Sequence, residues 1–210
     1  EQEERERRKK QVEETKEDGK IAEQEYDAGS EEVLGSEVVP DNKRPFVVDS
    51  NFKTPYGNTI TVARDGDVVV NIGKVNAYIR GGVKPSLGEV KAELSALREF
   101  KQTRRKEFDL DPKNEKRLVR LRDVELHNAE RSVDMAKTLE NAGIVNNQSN
   151  NDLIIQKLLQ AGKNVTKENN MASSVLSGPK SDVKIEGMYQ ILPSGETYLN
   201  TIFIYPMKAK

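Results

Sequence analysis

The hydrophobic rhythm of the chain changes several times. Residues 1 to about 28 alternate acidic and basic side chains and hold almost no large apolar residue, with Val12 and Ile21 too far apart to form a stripe. This segment reads as a solvated helix or disordered arm, or as the end of a longer helical stalk. Gly29, Gly35, Pro40 and Pro45 mark a linker after it. From Phe46 the spacing becomes that of strands: PFVVDS, TITVA, DVVVNI and VNAYI are short β-branched runs, with a hairpin turn expected at Asp65-Gly66. A small antiparallel sheet is therefore predicted over 46–80, ended by Gly81-Gly82.

Helical periodicity takes over next. Ser86-Leu87-Gly88-Glu89 is a capping-box pattern that opens a helix to about Lys106. Asp111 followed by Pro112 starts a second, longer helix, for which Gly143 supplies a left-handed cap. Within it Leu118, Leu121, Val124, Ala129, Val133, Ala136 and Leu139 form the core-facing stripe. Asn150-Asn151-Asp152 introduces a short helix, LIIQKLLQA, closed by Gly162. Strand patterns return in SSVLS, DVKIEGMYQIL and TYLNTIFIY, separated by Gly178-Pro179 and Pro193-Ser194-Gly195 turns.

The order of strands, helices and strands predicts an α+β fold with a small N-terminal antiparallel sheet, central helices and a C-terminal antiparallel β-meander. Three regions follow: an arm and linker at 1–42, a β-rich region with its helix at 43–110, and a helix-plus-sheet region at 111–210. The pattern leaves open whether the strands over 46–80 form a separate unit or part of one continuous sheet.

Composition narrows the chemistry. The 34 basic and 35 acidic residues nearly cancel, so contact with nucleic acid requires a local patch rather than a global field. The chain has no cysteine and a single histidine, which excludes disulfides, thiol nucleophiles, Cys-based zinc sites and multi-His metal sites. No phosphate-binding glycine motif or serine nucleophile elbow is present, and Asp109, Asp111 and Glu115 lack the spacing of a calcium loop. No cofactor or metal is expected. No apolar run is long enough to cross a bilayer, so membrane insertion is not expected either. The start at Glu1-Gln2-Glu3-Glu4 is unlike a signal peptide and lacks Met, which reads as a piece of something longer.

His127 is the one side chain whose ordinary titration lies near neutrality, which makes it the candidate for proton transfer. Helical spacing places it away from the core stripe, where a plain surface histidine is the competing reading. Arg131 falls one turn later on the same face, with Asn128 and Arg120 nearby, a grouping that would suit a phosphodiester. Lys101, Arg104, Arg105, Lys106, Lys113, Lys116, Arg117, Arg120 and Arg122 make the densest positive stretch. It reads either as two solvated helix ends or as a patch for a nucleic-acid backbone or an acidic protein.

The segment from HNAERSVDMAKTLENAGI through NQSNNDLIIQKLLQAGKNVTKEN to SSVLSGPKSDVKIEGMYQILPSGETYLNTIFIYP resembles the C-terminal toxin domains of bacterial polymorphic toxin systems, over about residues 127–206. The Leu-Ser-Gly-Pro turn and the hairpin closed by Pro-Ser-Gly carry most of that resemblance. It implies delivery into the cytoplasm of a competing cell, nuclease activity (RNase ahead of DNase, without a metal), and a cognate immunity protein as partner. On that reading His127 moves the proton, and Arg131, Lys180 in the Gly178-Pro179 turn and Thr201 on the last strand contact phosphate or transition state. The rival expectation is a non-enzymatic assembly module of a phage or secretion apparatus.

Overall fold

A computed structural model describes residues 40–209. The N-terminal arm and nearly all of the linker lie outside the described residues.

Strands β1 (Val47–Lys53), β2 (Thr59–Asp65) and β3 (Val68–Asn71) form the antiparallel meander that the β-branched runs predict. Asp65 pairs with Val68 across a two-residue turn at Gly66-Asp67. The expected fourth strand over Val75–Ile79 is a correction. Ile72–Asn76 forms a short helix, α1, and Tyr78–Arg80 a 3-10 turn. Two causes are visible. The Asn71 side chain accepts the Gly73 N–H at 2.8 Å, capping the helix. The Ala77 N–H donates to the Gly73 carbonyl at 2.9 Å, so these backbone groups are satisfied within the segment rather than across a ladder.

Helix α2 (Leu87–Thr103) carries the expected capping box: Ser86 Oγ accepts the Glu89 N–H, and the Glu89 carboxylate accepts the Ser86 N–H at 2.7 Å. It stops at Thr103 because Arg104 leaves helical geometry, and a separate short helix α3 follows over Arg105–Leu110. Helix α4 (Pro112–Arg120) starts at the Asp111 cap, whose carboxylate accepts the Lys113 N–H at 2.9 Å. A π-helical stretch, Leu121–Glu125, joins it to α5 (Leu126–Asn141). That wider turn shifts the buried stripe to Leu118, Leu121, Glu125, Ala129, Ser132, Met135 and Leu139, leaving Val124, Val133 and Ala136 half-buried at its margin. Gly143 ends the run with φ +78°, where side-chain-bearing residues are strained, and lets the Ile144 N–H reach the Leu139 carbonyl at 2.9 Å.

Helix α6 (Gln148–Gly162) begins before the expected Asn150-Asp152 start because Asn147 caps it, accepting the Asn150 N–H at 2.8 Å. Asn151 and Asp152 are buried instead and act as anchors. Arg80 donates to Asn151 Oδ1 at 2.7 and 3.0 Å and to the Ile144 carbonyl at 2.7 Å, while Arg44 forks onto Asp152 at 2.6 and 3.2 Å. Burial pushes the Arg80 guanidinium down to about 10.

The last strands, β4 (Met171–Ser177), β5 (Ser181–Ile191) and β6 (Thr197–Ala209), form the expected C-terminal meander. Both meanders belong to one six-stranded sheet ordered β1-β2-β3-β6-β5-β4, joined where β3 and β6 run parallel through Val68–Thr197 and Val69–Tyr198. The helices cover one face, and the main core lies between them, built from both halves of the chain. The opposite face carries a smaller buried cluster around Phe52, Ile60, Val62, Val69 and Tyr198, with the Phe52 and Tyr198 rings stacked at 5.7 Å.

Gly178 is needed where the β4–β5 turn meets the end of α5. A Cβ there would sit 2.6 Å from the Ser181 carbonyl oxygen and closer still to that of Ala142. Both neighbours are backbone and cannot swing aside. Gly178→Ala should lower stability by about 1–3 kcal/mol, read as a shifted denaturant midpoint with an unchanged slope.

Candidate functional site

The site begins with a fault in the last strand. Along β5 and β6 the pairing runs regularly from Ile191–Thr197 to Tyr189–Leu199, then resumes at Met188–Thr201, so Asn200 is an extra residue. Such a bulge inverts the phase of everything after it. Leu199 faces the helix layer, yet beyond the bulge it is Ile202 and Ile204 that enter the core, and Thr201, Phe203 and Tyr205 turn to the opposite face. Lys74, only 4% exposed, donates to the Leu199 and Asn200 carbonyls at the fault and lies 5.7 Å from the Tyr198 ring centroid. The short helix α1, which took the place of the expected strand, supplies this lysine.

Because β3 pairs with β6 only at Thr197 and Tyr198, the rest of β6 has no strand on that side among the described residues, and α5 packs along it. Between them runs a groove of about 460 Å³. His127, Glu130, Arg131, Asp134 and Thr138 reach it from α5, at the spacing that places residues on one helix face, while Phe203, Tyr205 and Pro206 reach it from β6. The Arg131 guanidinium lies 5.3 Å from the Phe203 ring centroid. Phe203 and Tyr205 are nearly parallel, 6.1 Å apart, and Lys184 covers Tyr205 at 5.6 Å. The groove thus combines one imidazole, one guanidinium, two carboxylates and two neighbouring aromatic rings. Nearby, Arg122 holds the Asp123 carboxyl below its ordinary range, with a smaller contribution from His127.

No protein-family model matches the chain, and no curated protein matches its sequence. Of the four residues singled out from the sequence, His127 and Arg131 line the groove together. Thr201 shares a sheet face with Phe203 but is not part of the lining. Lys180 lies in the β4–β5 turn, where its N–H donates to the Ala142 carbonyl at 3.0 Å. That is the far end of α5, about 20 Å from His127 at 1.5 Å of rise per residue. One ligand spanning His127 and Lys180 would have to follow the length of the helix.

Glu130, Asp134, Phe203 and Tyr205 were missed in the sequence. Helical spacing from His127 would have found the two acids. The aromatics needed the bulge, which shifts their face without leaving a local sequence signal.

The long basic stretch is largely neutralised. Lys101 pairs with Glu115 at 2.6 Å, Arg105 with Asp109 at 2.8 Å, Arg122 with Asp123 at 2.6 Å, and Arg117 and Arg120 both reach Glu125. This favours solvated, ion-paired helices over an open phosphate-binding patch. Among the described residues no group of His, Asp and Glu is arranged as metal ligands, and no helix is long and apolar enough to cross a membrane.

Proposed function

We propose that the α5–β6 groove is the site of a nuclease-type effector that acts on single-stranded RNA, within an interbacterial toxin kept in check by an immunity protein and delivered into the cytoplasm of a target cell. One observation carries this reading: His127 and Arg131 share a groove with two adjacent, partly exposed aromatic rings. Tyr205 is 42% exposed, and an unpaired base can stack on it once the Lys184 side chain swings off the ring, which is how single strands are commonly held. Arg131 lies over Phe203 with its guanidinium beside the groove and can turn donor groups toward a phosphate. His127 can move a proton to or from the phosphodiester, and Glu130, three residues on, can serve as the complementary acid-base group.

The resemblance to polymorphic toxin domains supports the same reading. The two carboxylates oppose it in part, since they weaken binding of a phosphate that does not sit directly at Arg131.

The test is binding of a fluorescent single-stranded RNA followed by anisotropy, with Tyr205→Ala and Arg131→Ala alongside the unaltered chain. Loss of one stacking platform should weaken binding about 5- to 150-fold, matching roughly 1–3 kcal/mol per stacked base. Equal affinity in all three proteins, or none in the unaltered chain, would dismiss the groove as an RNA site. The assembly-module reading has one observation of its own: among the described residues the sheet ends in an uncharged edge strand, β4, with no strand beyond it.

A further inference from the structure

Strand β4 is an edge of the sheet, and its free side can be worked out residue by residue. The Tyr189 N–H donates to the Asn170 carbonyl at 2.8 Å just before the strand, and the Gly178 N–H donates to the Ser181 carbonyl at 3.0 Å just after it. The β4–β5 register is unbroken between those points. In an antiparallel ladder hydrogen-bonded pairs alternate, so Ala172, Ser174 and Leu176 point their backbone groups at β5. Met171, Ser173, Val175 and Ser177 point theirs away from the sheet, one N–H and one C=O each. No hydrogen bond among the described residues reaches these outward groups. All four residues are exposed, Met171 by 39% and Val175 by 45%.

Folded proteins ordinarily protect such an edge with charge, proline or a bulge. The other edge, β1, has two of these devices, a bulge between Asp49 and Phe52 and the charged Asp49 and Lys53. Strand β4, Met-Ala-Ser-Ser-Val-Leu-Ser, has none of them.

We infer that β4 pairs antiparallel with β4 of a second copy of this chain about a two-fold axis at Ser174, extending one sheet through both molecules. The sequence of the strand selects this partner and this register. Laid antiparallel on itself about Ser174, it sets Met171 against Ser177, Ala172 against Leu176 and Ser173 against Val175, so each larger side chain meets a small one. Ser174 meets its own copy. The parity is also correct, because Met171–Ser177 and Ser173–Val175 join outward-directed backbone groups to outward-directed ones. Any shift by one residue would face outward groups with inward ones. Since the strand carries no charge, no like-charge repulsion arises when it meets its own copy. The helical layers of both copies then lie on the same side of the shared sheet.

Sedimentation velocity on the full chain over a range of concentrations should show a reversible monomer–dimer equilibrium. Val175→Pro removes one outward N–H and leaves the β5 ladder intact, and should weaken association at least about tenfold. A cysteine pair reads the register directly, because the chain has no cysteine of its own. Ser174 and its copy form a non-hydrogen-bonded pair with Cα atoms about 4.5 Å apart, a separation a disulfide can bridge. Ser174→Cys should therefore cross-link under mild oxidation at least about tenfold faster than Ser173→Cys, which sits one step out of register. A chain that stays monomeric at every attainable concentration overturns the inference. So does a dimer that Val175→Pro leaves intact, or equal cross-linking at the two positions. Should Val175→Pro fail to fold, the cysteine pair decides.

Discussion

Replacing His127 with alanine should reduce the proposed RNA cleavage about 10²- to 10⁴-fold, the usual contribution of a positioned acid-base group, and leave the melting temperature unchanged. The separation of the two effects follows from where the residue sits. His127 is exposed on the groove side of α5, and its neighbours in the helix, Ala129, Ser132 and Met135, supply the packing. Surface substitutions of that kind usually move stability by less than about 0.5 kcal/mol. The same variant, expressed in a bacterial host without the proposed immunity gene, should relieve growth inhibition. A folded His127→Ala protein that cleaves RNA and inhibits growth as well as the unaltered chain would remove histidine from the mechanism. An unaltered chain that neither cleaves RNA nor slows growth would remove the nuclease altogether. Because His127 is the sole histidine, an imidazole-selective reagent should inactivate with one modification per chain, and bound RNA should protect against it.

Glu125→Ala should cost about 1–3 kcal/mol, the usual loss when a buried carboxylate gives up charge-assisted hydrogen bonds to partly exposed partners. Glu125 lies in the π-helical stretch, 4% exposed, and its Oε1 accepts from Arg117 at 2.5 Å and Arg120 at 2.7 Å. Truncation would take this counter-charge from both arginines at once. Among the described residues no hydrogen bond reaches the carboxylate's second oxygen, Oε2, so part of its desolvation cost is not recovered. Replacing all of its members together by apolar residues of similar size should cost far less.

The outer partner offers a control. Glu93 receives a two-pronged bond from Arg117 at 2.6 Å on each arm but is half exposed, so Glu93→Ala should cost only about 0–1 kcal/mol under solvent screening. That bond holds the Glu93 carboxyl below its ordinary range. The folded-state value is depressed, so the stabilisation is fully present above the ordinary carboxylate value near 4.5 and is lost as pH falls through the depressed one. Thermal melts in acid should therefore be less steeply pH-dependent in Glu93→Gln. Equal losses for Glu125→Ala and Glu93→Ala would show that burial does not set the scale here.

Signals that act over a few residues were legible in the chain itself. Ser86 with Glu89, Asp111 with Pro112, Gly143 at a helix end and the Gly178-Pro179 and Pro193-Ser194-Gly195 turns each determine local backbone geometry through a hydrogen bond or a φ preference within one turn, and each marks the end of an element in the folded protein. Their order determines the α+β class. Three decisions belonged to the tertiary structure. Val75–Ile79, β-branched and aromatic enough to read as a strand, lies in a helical turn capped by Asn71 and a 3-10 turn, where Lys74 reaches the β6 bulge and Ser132 bonds the Tyr78 carbonyl. The two meanders became one sheet because Val68 and Val69 found Thr197 and Tyr198, a parallel pairing between distant segments that no local pattern encodes. Phe203 and Tyr205 reached the groove of His127 and Arg131 only because a bulge at Asn200, held by Lys74, reversed the strand's phase. Helical spacing alone could put His127 and Arg131 on one face, but what lies opposite that face depends on contacts across the whole chain, and those form only when the sheet closes.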